Sequence, residues 1–205
     1  MIDLPLPERR KIISSFLLTI LVGFAFKNMI DSVFDNVLSN GLTINNSFLT
    51  VSFFFVVIRF FIGNQLHLFE RINSPGFLWL YDTIIIVVES IILILLGKVC
   101  LVEYNLEYIF GFKELLVMLL CIDITWVISQ AIVVYRGRKK NKQWAMEIDV
   151  PWKWAFLNLA SCLLLIFFEC FIGSLYSVCG LWFVLILNFL AFFIDVIHAD
   201  IYNSL

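Results

Sequence analysis

The chain has 205 residues, 62% of them hydrophobic and 15% charged, with a mean hydropathy of +0.99 and a formal net charge of −2. Soluble domains run nearer about 45–50% apolar and about 25% charged. This composition excludes a water-soluble globule and implies an integral membrane protein; apart from one basic loop, nothing points to nucleic acid as a partner.

Six apolar segments reach the roughly 20 residues needed to cross a hydrocarbon core of about 30 Å. The first, 11–34, follows the basic triplet Arg9, Arg10 and Lys11. It has no small-residue cleavage site, so it reads as a retained span rather than a signal peptide. Lys27 and Asp31 make its far end amphipathic. The second, 47–69, carries the run from Phe53 to His67, with Arg59 near its middle. Ser74-Pro75-Gly76 separates it from the third, 77–99. The fourth covers 113–135. The fifth, 154–176, begins beside Trp152 and Trp154, which read as interfacial anchors. The sixth covers 178–202, close enough to the fifth to predict a tight antiparallel hairpin. The expected fold is all-α: one polytopic transmembrane helical bundle over 1–205, with the lipid bilayer as its first partner.

Lysine and arginine set the expected orientation. Arg9, Arg10 and Lys11 precede the first span, Arg71 follows the second, and Arg136, Arg138, Lys139, Lys140, Lys142 and Lys153 follow the fourth. With six spans these all fall on one side, so both termini are expected in the cytoplasm and the protein in a cell inner membrane. The opposite loops hold only Lys98 and Lys113, beside Glu103, Glu107 and Glu114. No extramembrane domain is expected.

An arginine at bilayer depth costs several kcal/mol and needs compensation. Arg59, Gly63 and His67 share one helix face. Asp82 with Glu89, Asp123 with Gln130, and Asn188 with Asp195 are each seven apart, and Asn158, Cys162 and Glu169 follow a similar stripe. Counting about 1.5 Å per residue puts Arg59, Glu89 and Asp123 at one level. Asn64, His67, Asp82, Asn158, Asp195 and His198 form a shallower polar layer, while Lys27, Glu169 and Asn188 lie deeper. The simplest buried charge network pairs Arg59 with Glu89 or Asp123, and Lys27 with Glu169. The bland alternative is that these polar groups only hydrogen-bond helices together, at about 0.6 kcal/mol each. The surplus of carboxylates over deep cations favours protonated, hydrated or pore-facing acids.

Catalytic signatures are incomplete. Tyr81-Asp82 matches half of an aspartyl intramembrane protease pair, without the Gly-x-Gly-Asp partner. No G-x-S-G or H-E-x-x-H occurs. No enzyme activity, cofactor or metal is expected. Cys121, Cys162 and Cys170 fall in apolar runs and read as small apolar residues; Cys100 and Cys179 could meet on the outer face.

The small polytopic chain, its lack of a soluble domain and the run Arg59-Phe60-Phe61-Ile62-Gly63-Asn64 to His67 resemble accessory membrane proteins of prokaryotic antiviral defence. These accompany RNA-guided RNases of type VI-B CRISPR and the adenosine-deaminase phage-defence system. The resemblance implies membrane disruption, a pore, or modulation of a cytosolic nuclease. Three functions follow as expectations. One is a homo-oligomeric, channel-like effector lined by the polar stripes. The second is a proton-coupled transporter titrating at Glu89, Asp123 and Glu169, against which the lack of Gly- or Pro-broken spans weighs. The third is a scaffold docking a cytosolic protein on the basic loop Arg136, Arg138, Lys139, Lys140 and Lys142.

Overall fold

The computed structural model describes residues 6–40, 44–70, 75–99, 111–175 and 177–203, and among them every regular element is a helix. These are α1 (Leu6–Asn40), α2 (Ile44–Glu70), α3 (Gly76–Val99), α4 (Phe112–Lys139), α5 (Gln143–Glu147), α6 (Trp152–Phe171) and α7 (Val178–Asn203). All but the short α5 contain a stretch long and apolar enough to cross a membrane, so the chain is a multi-pass membrane protein with six candidate spans. Arg71, Cys100, Glu103 and Glu107 lie outside the described residues, as does the side chain of His198.

The spans are helical because a bilayer offers the backbone no hydrogen-bond partners, and a helix satisfies them within its own segment. Prolines are kept out of the helix interiors among the described spans. Pro75 and Pro151 stand instead at helix starts, where a missing N–H costs nothing. Their carbonyls accept the first turn: Leu78 N donates to Pro75 O at 3.0 Å and Ala155 N to Pro151 O at 3.2 Å.

α1 packs mainly along α3, α2 along α7, and α4 stands between α3 and α6. The seam is apolar. Leu18, Val22, Ala25 and Met29 repeat at three- and four-residue steps on α1 and share one buried cluster with Phe53, Val56, Val57 and Phe60 of α2. Leu93 and Leu96 of α3 join Leu116, Leu119 and Leu120 of α4, with Leu165 and Phe168 of α6 behind them. Gly97 permits the close α1–α3 approach: a Cβ there would lie 2.7 Å from the Ala25 carbonyl oxygen. The outward faces carry large apolar residues such as Phe24, Ile91, Leu163 and Trp182, while Arg59, Asn64, Asp82, Glu89, Asp123 and Asn158 are buried inside. Apolar outside and polar inside is the arrangement a lipid solvent selects.

Two local features differ from the sequence expectation. α6 ends at Phe171, short of the 176 expected for that span, and Ile172 and Gly173 both donate to the Phe168 carbonyl. Arg59 of α2 reaches both α6 and α7. The basic loop is also partly helix. α4 runs to Lys139 and takes Arg136, Arg138 and Lys139 into its last turn, where cations suit the helix dipole. Arg138 then donates to the Ala145 and Ile148 carbonyls, each at 2.9 Å, folding α5 back against α4.

Candidate functional site

Arg59 sits mid-helix in α2 with 3% exposure. Its Nε donates to Asp195 Oδ2 on α7 and its Nη2 to Asn158 Oδ1 on α6. Asn158 Nδ2 and Trp154 Nε1 in turn both donate to Asp123 Oδ2 on α4. The guanidinium also lies over the Trp154 ring, 4.9 Å from its centroid, and 5.7 Å from that of Phe60. Gly63 makes this possible, because a Cβ there would fall 2.3 Å from a Trp154 ring carbon.

Asn64 extends the network to α3 by donating to Glu89 Oε2 at 2.9 Å. The Glu89 and Asp123 carboxyls are themselves in hydrogen-bonding contact. Each keeps one buried oxygen without a donor, Glu89 Oε1 and Asp123 Oδ1. Two ionised carboxylates offer only acceptors, so this contact is a hydrogen bond when one of the pair carries a proton.

A second cluster lies alongside. Asp82 Oδ1 accepts from Gln130 Nε2 at 2.6 Å and from Trp126 Nε1 at 3.1 Å, and its Oδ2 lies 3.4 Å from His67 Nε2. His67 Nε2 is also 3.2 Å from Gln130 Nε2. The imidazole can accept from the amide when neutral, or face Asp82 as a cation. The Trp126 ring meets it edge-on, with centroids 4.4 Å apart.

Against these clusters lies a cavity of about 330 Å³, bounded by α2, α4, α6, α7 and the connection Asp149 to Pro151. Four of its lining residues each hold a charged group behind the wall: Asn64 holds Glu89, His67 faces Asp82, Trp154 holds Asp123, and Asp195 pairs with Arg59. Trp126 and Trp152 complete an aromatic lining. Among the described residues, no three His, Cys, Asp or Glu side chains converge as they would around a metal ion.

The expected site residues thus divide. Arg59, Glu89, Asp123, Asn64, His67, Asp82, Asn158 and Asp195 come together. Arg59 does stand by Asp123, but through Asn158, and its direct ion-pair partner is Asp195. Residue counting places Asp195 one layer shallower; helix tilt and the reach of an arginine side chain erase a turn of such difference. Lys27 and Glu169 do not belong to the network. The Lys27 side chain is 65% exposed and pairs with Asp31, one turn along α1, at 2.5 Å. α1 packs on α3 and α2, not on α6, so the two are on different seams. Glu169 instead meets Lys113 at 3.0 Å and accepts from Leu175 N at 2.8 Å.

Trp154 is the network residue that sequence reasoning misplaces. A tryptophan at the start of a span reads as an interfacial anchor, yet here its N–H serves a buried carboxylate. Gly63 on the Arg59 face is the signal that could reveal it, since a small residue on a polar stripe marks room for a large neighbour. No protein-family model, curated protein or solved structure matches the chain.

Proposed function

We propose that the protein is a proton-coupled carrier that takes a small molecule into the cavity from the α4–α6 connection side. One observation carries the reading: every buried charge behind the cavity wall is held by a residue that also lines the cavity. A molecule that shifts Asn64 or Trp154 shifts a donor away from Glu89 or Asp123. The proton shared by that pair then becomes easier or harder to hold, so occupancy and protonation are linked. The groups facing the pair are Asn64 and Arg59 from α2, Trp154 and Asn158 from α6, and Asp195 from α7.

The oligomeric-effector reading relied on polar stripes left over for a shared pore. Here those stripes meet one another within a single chain, which favours the carrier. The Arg59 to His67 run behind the defence-system resemblance is likewise accounted for by contacts inside the chain. The docking reading loses one of its residues, because Arg138 is engaged with Ala145 and Ile148.

The test needs no known substrate. Proteoliposomes on a solid-supported membrane should give a transient charge displacement after a pH jump. Glu89→Gln should abolish it, because the amide replaces the titrating group while still accepting from Asn64 and donating to Asp123. Lys113→Ala should keep it. If the wild-type protein, with native near-ultraviolet circular dichroism, gives no transient above protein-free liposomes, the carrier reading is wrong.

A further inference from the structure

Among the described residues, four carboxyl groups, Asp82, Glu89, Asp123 and Asp195, stand around the inner wall against one guanidinium, Arg59, and one imidazole, His67. The Glu89–Asp123 contact accommodates one proton. With His67 charged, one negative charge is left without a counter-charge; with His67 neutral, two are left. Two other lysines are engaged away from the cavity. Lys27 is spent on Asp31 and Lys113 on Glu114 and Glu169. At the cavity's outer end Lys153 and Asp149 are both present, one of each sign. An excess of negative charge in a site flanked by lipid is costly unless a proton or a cation offsets it.

The rest of the lining narrows the choice. Trp126, Trp152 and Trp154 line the space, and indole rings attract cations more strongly than the other aromatic rings do; Trp154 already receives the Arg59 guanidinium, which leaves half-exposed Trp152 as the ring open to a ligand. A volume of about 330 Å³ is far larger than a bare ion requires and lies at the small end for organic ligands. Resting on the carrier reading above for its role in transport, but not for binding itself, we infer that the cavity's ligand is a monovalent organic cation with an aromatic or aliphatic body. The charged head sits toward Asp195 and the network behind it, and the body sits among the tryptophans. A cation in this place supplies the charge that the Glu89–Asp123 proton otherwise supplies, so ligand entry and proton release offset each other.

The probe pair is benzyltrimethylammonium and benzenesulfonate, similar in bulk and opposite in charge, in equilibrium dialysis against the full chain in detergent. The ammonium should be retained and the sulfonate should not. Trp152→Ala removes a half-exposed wall at no expense to the buried network and should weaken the ammonium by about two- to tenfold, with Trp152→Phe recovering most of it. Equal or tighter retention of the sulfonate would overturn the inference. So would ammonium binding that ignores Trp152→Ala, since it would lie elsewhere. If neither probe binds while the pH-jump transient persists, the ligand class is wrong and the carrier stands. If the ammonium binds as described but no transient appears, the cation site stands and the carrier does not.

Discussion

The two ends of the bundle solve the same problem in opposite ways. At the end bounded by the α4–α6 connection, charges are buried: Arg59, Asp195, Asp123, Glu89 and Asp82 hold one another through Asn158, Asn64, Trp154 and Gln130. At the other end the interior is Leu93, Leu96, Leu115, Leu116, Leu119 and Phe168, and the charges are pushed outward. Lys113 there meets Glu169 and Glu114, with 24–36% of each side chain exposed. An apolar interior needs no partner-matching, so the far end can be held by packing alone. A buried ion network is seldom more stable than apolar residues of the same volume. Among the described residues the network lies at the end that also holds the cavity, which is the placement on which the carrier proposal rests.

Removing a charge should therefore cost very different amounts at the two ends. The largest loss is expected for Arg59→Met, which strands Asp195 and Asp123 in the bundle. Breaking a buried pair by deleting one partner costs roughly 3–5 kcal/mol. Adding Asp195→Asn to Arg59→Met should recover part of that loss, because the second change removes a stranded charge and the two sites share a bond. Denaturant titration in detergent reads both variants. Strictly additive losses would mean that the pair is not coupled in the folded state.

Next comes Gly63→Ala, which adds one methyl group where the Trp154 ring stands. The ring must move, and its bond to Asp123 moves with it. Overpacking of this kind costs about 1–3 kcal/mol. Gly23→Ala is the matched control on α1, since a Cβ there meets nothing within 4 Å, and it should be neutral or stabilising by up to about 1 kcal/mol. Equal effects at the two glycines would contradict the placement of Trp154. Smaller again is Lys113→Ala at the far end. Its two partners are partly exposed, so about 0–1 kcal/mol is expected in the same titration.

Much of this contrast is legible in the sequence, and the missing part has a definite cause. The six spans are visible as apolar runs of sufficient length, because the bilayer sets a minimum length independent of packing. The inward direction of Asp82, Glu89, Asp123, Gln130 and Asn158 is visible from heptad-like spacing. Pairing is not visible, since which helix lies beside which depends on packing between segments distant in the chain. α1 lies along α3 and α2 along α7, and neither follows from chain order. For the same reason Asp195 rather than Glu89 receives Arg59 directly, and Trp154 reads as an anchor until Asp123 is placed beside it. The latch between Arg138 and the α5 segment is hidden because a run of basic residues looks alike whether it is solvated or bonded to carbonyls.

Lys27 gives the smallest expected effect and the sharpest discrimination. Stripe and depth alone assign it to Glu169 as a deep ion pair, and losing one partner of such a pair would cost several kcal/mol. Instead its side chain is 65% exposed and joined to Asp31 one turn along its own helix. An exposed pair four residues apart is worth about 0.3–0.5 kcal/mol. Lys27→Ala should therefore shift the denaturant midpoint barely beyond error, and Asp31→Asn should do no more. The double variant should lose no more than the larger single one, because either change already breaks the only bond they share on that face. A loss above about 2 kcal/mol for Lys27→Ala would put a buried cation at the apolar end. It would then abolish the contrast between the two ends.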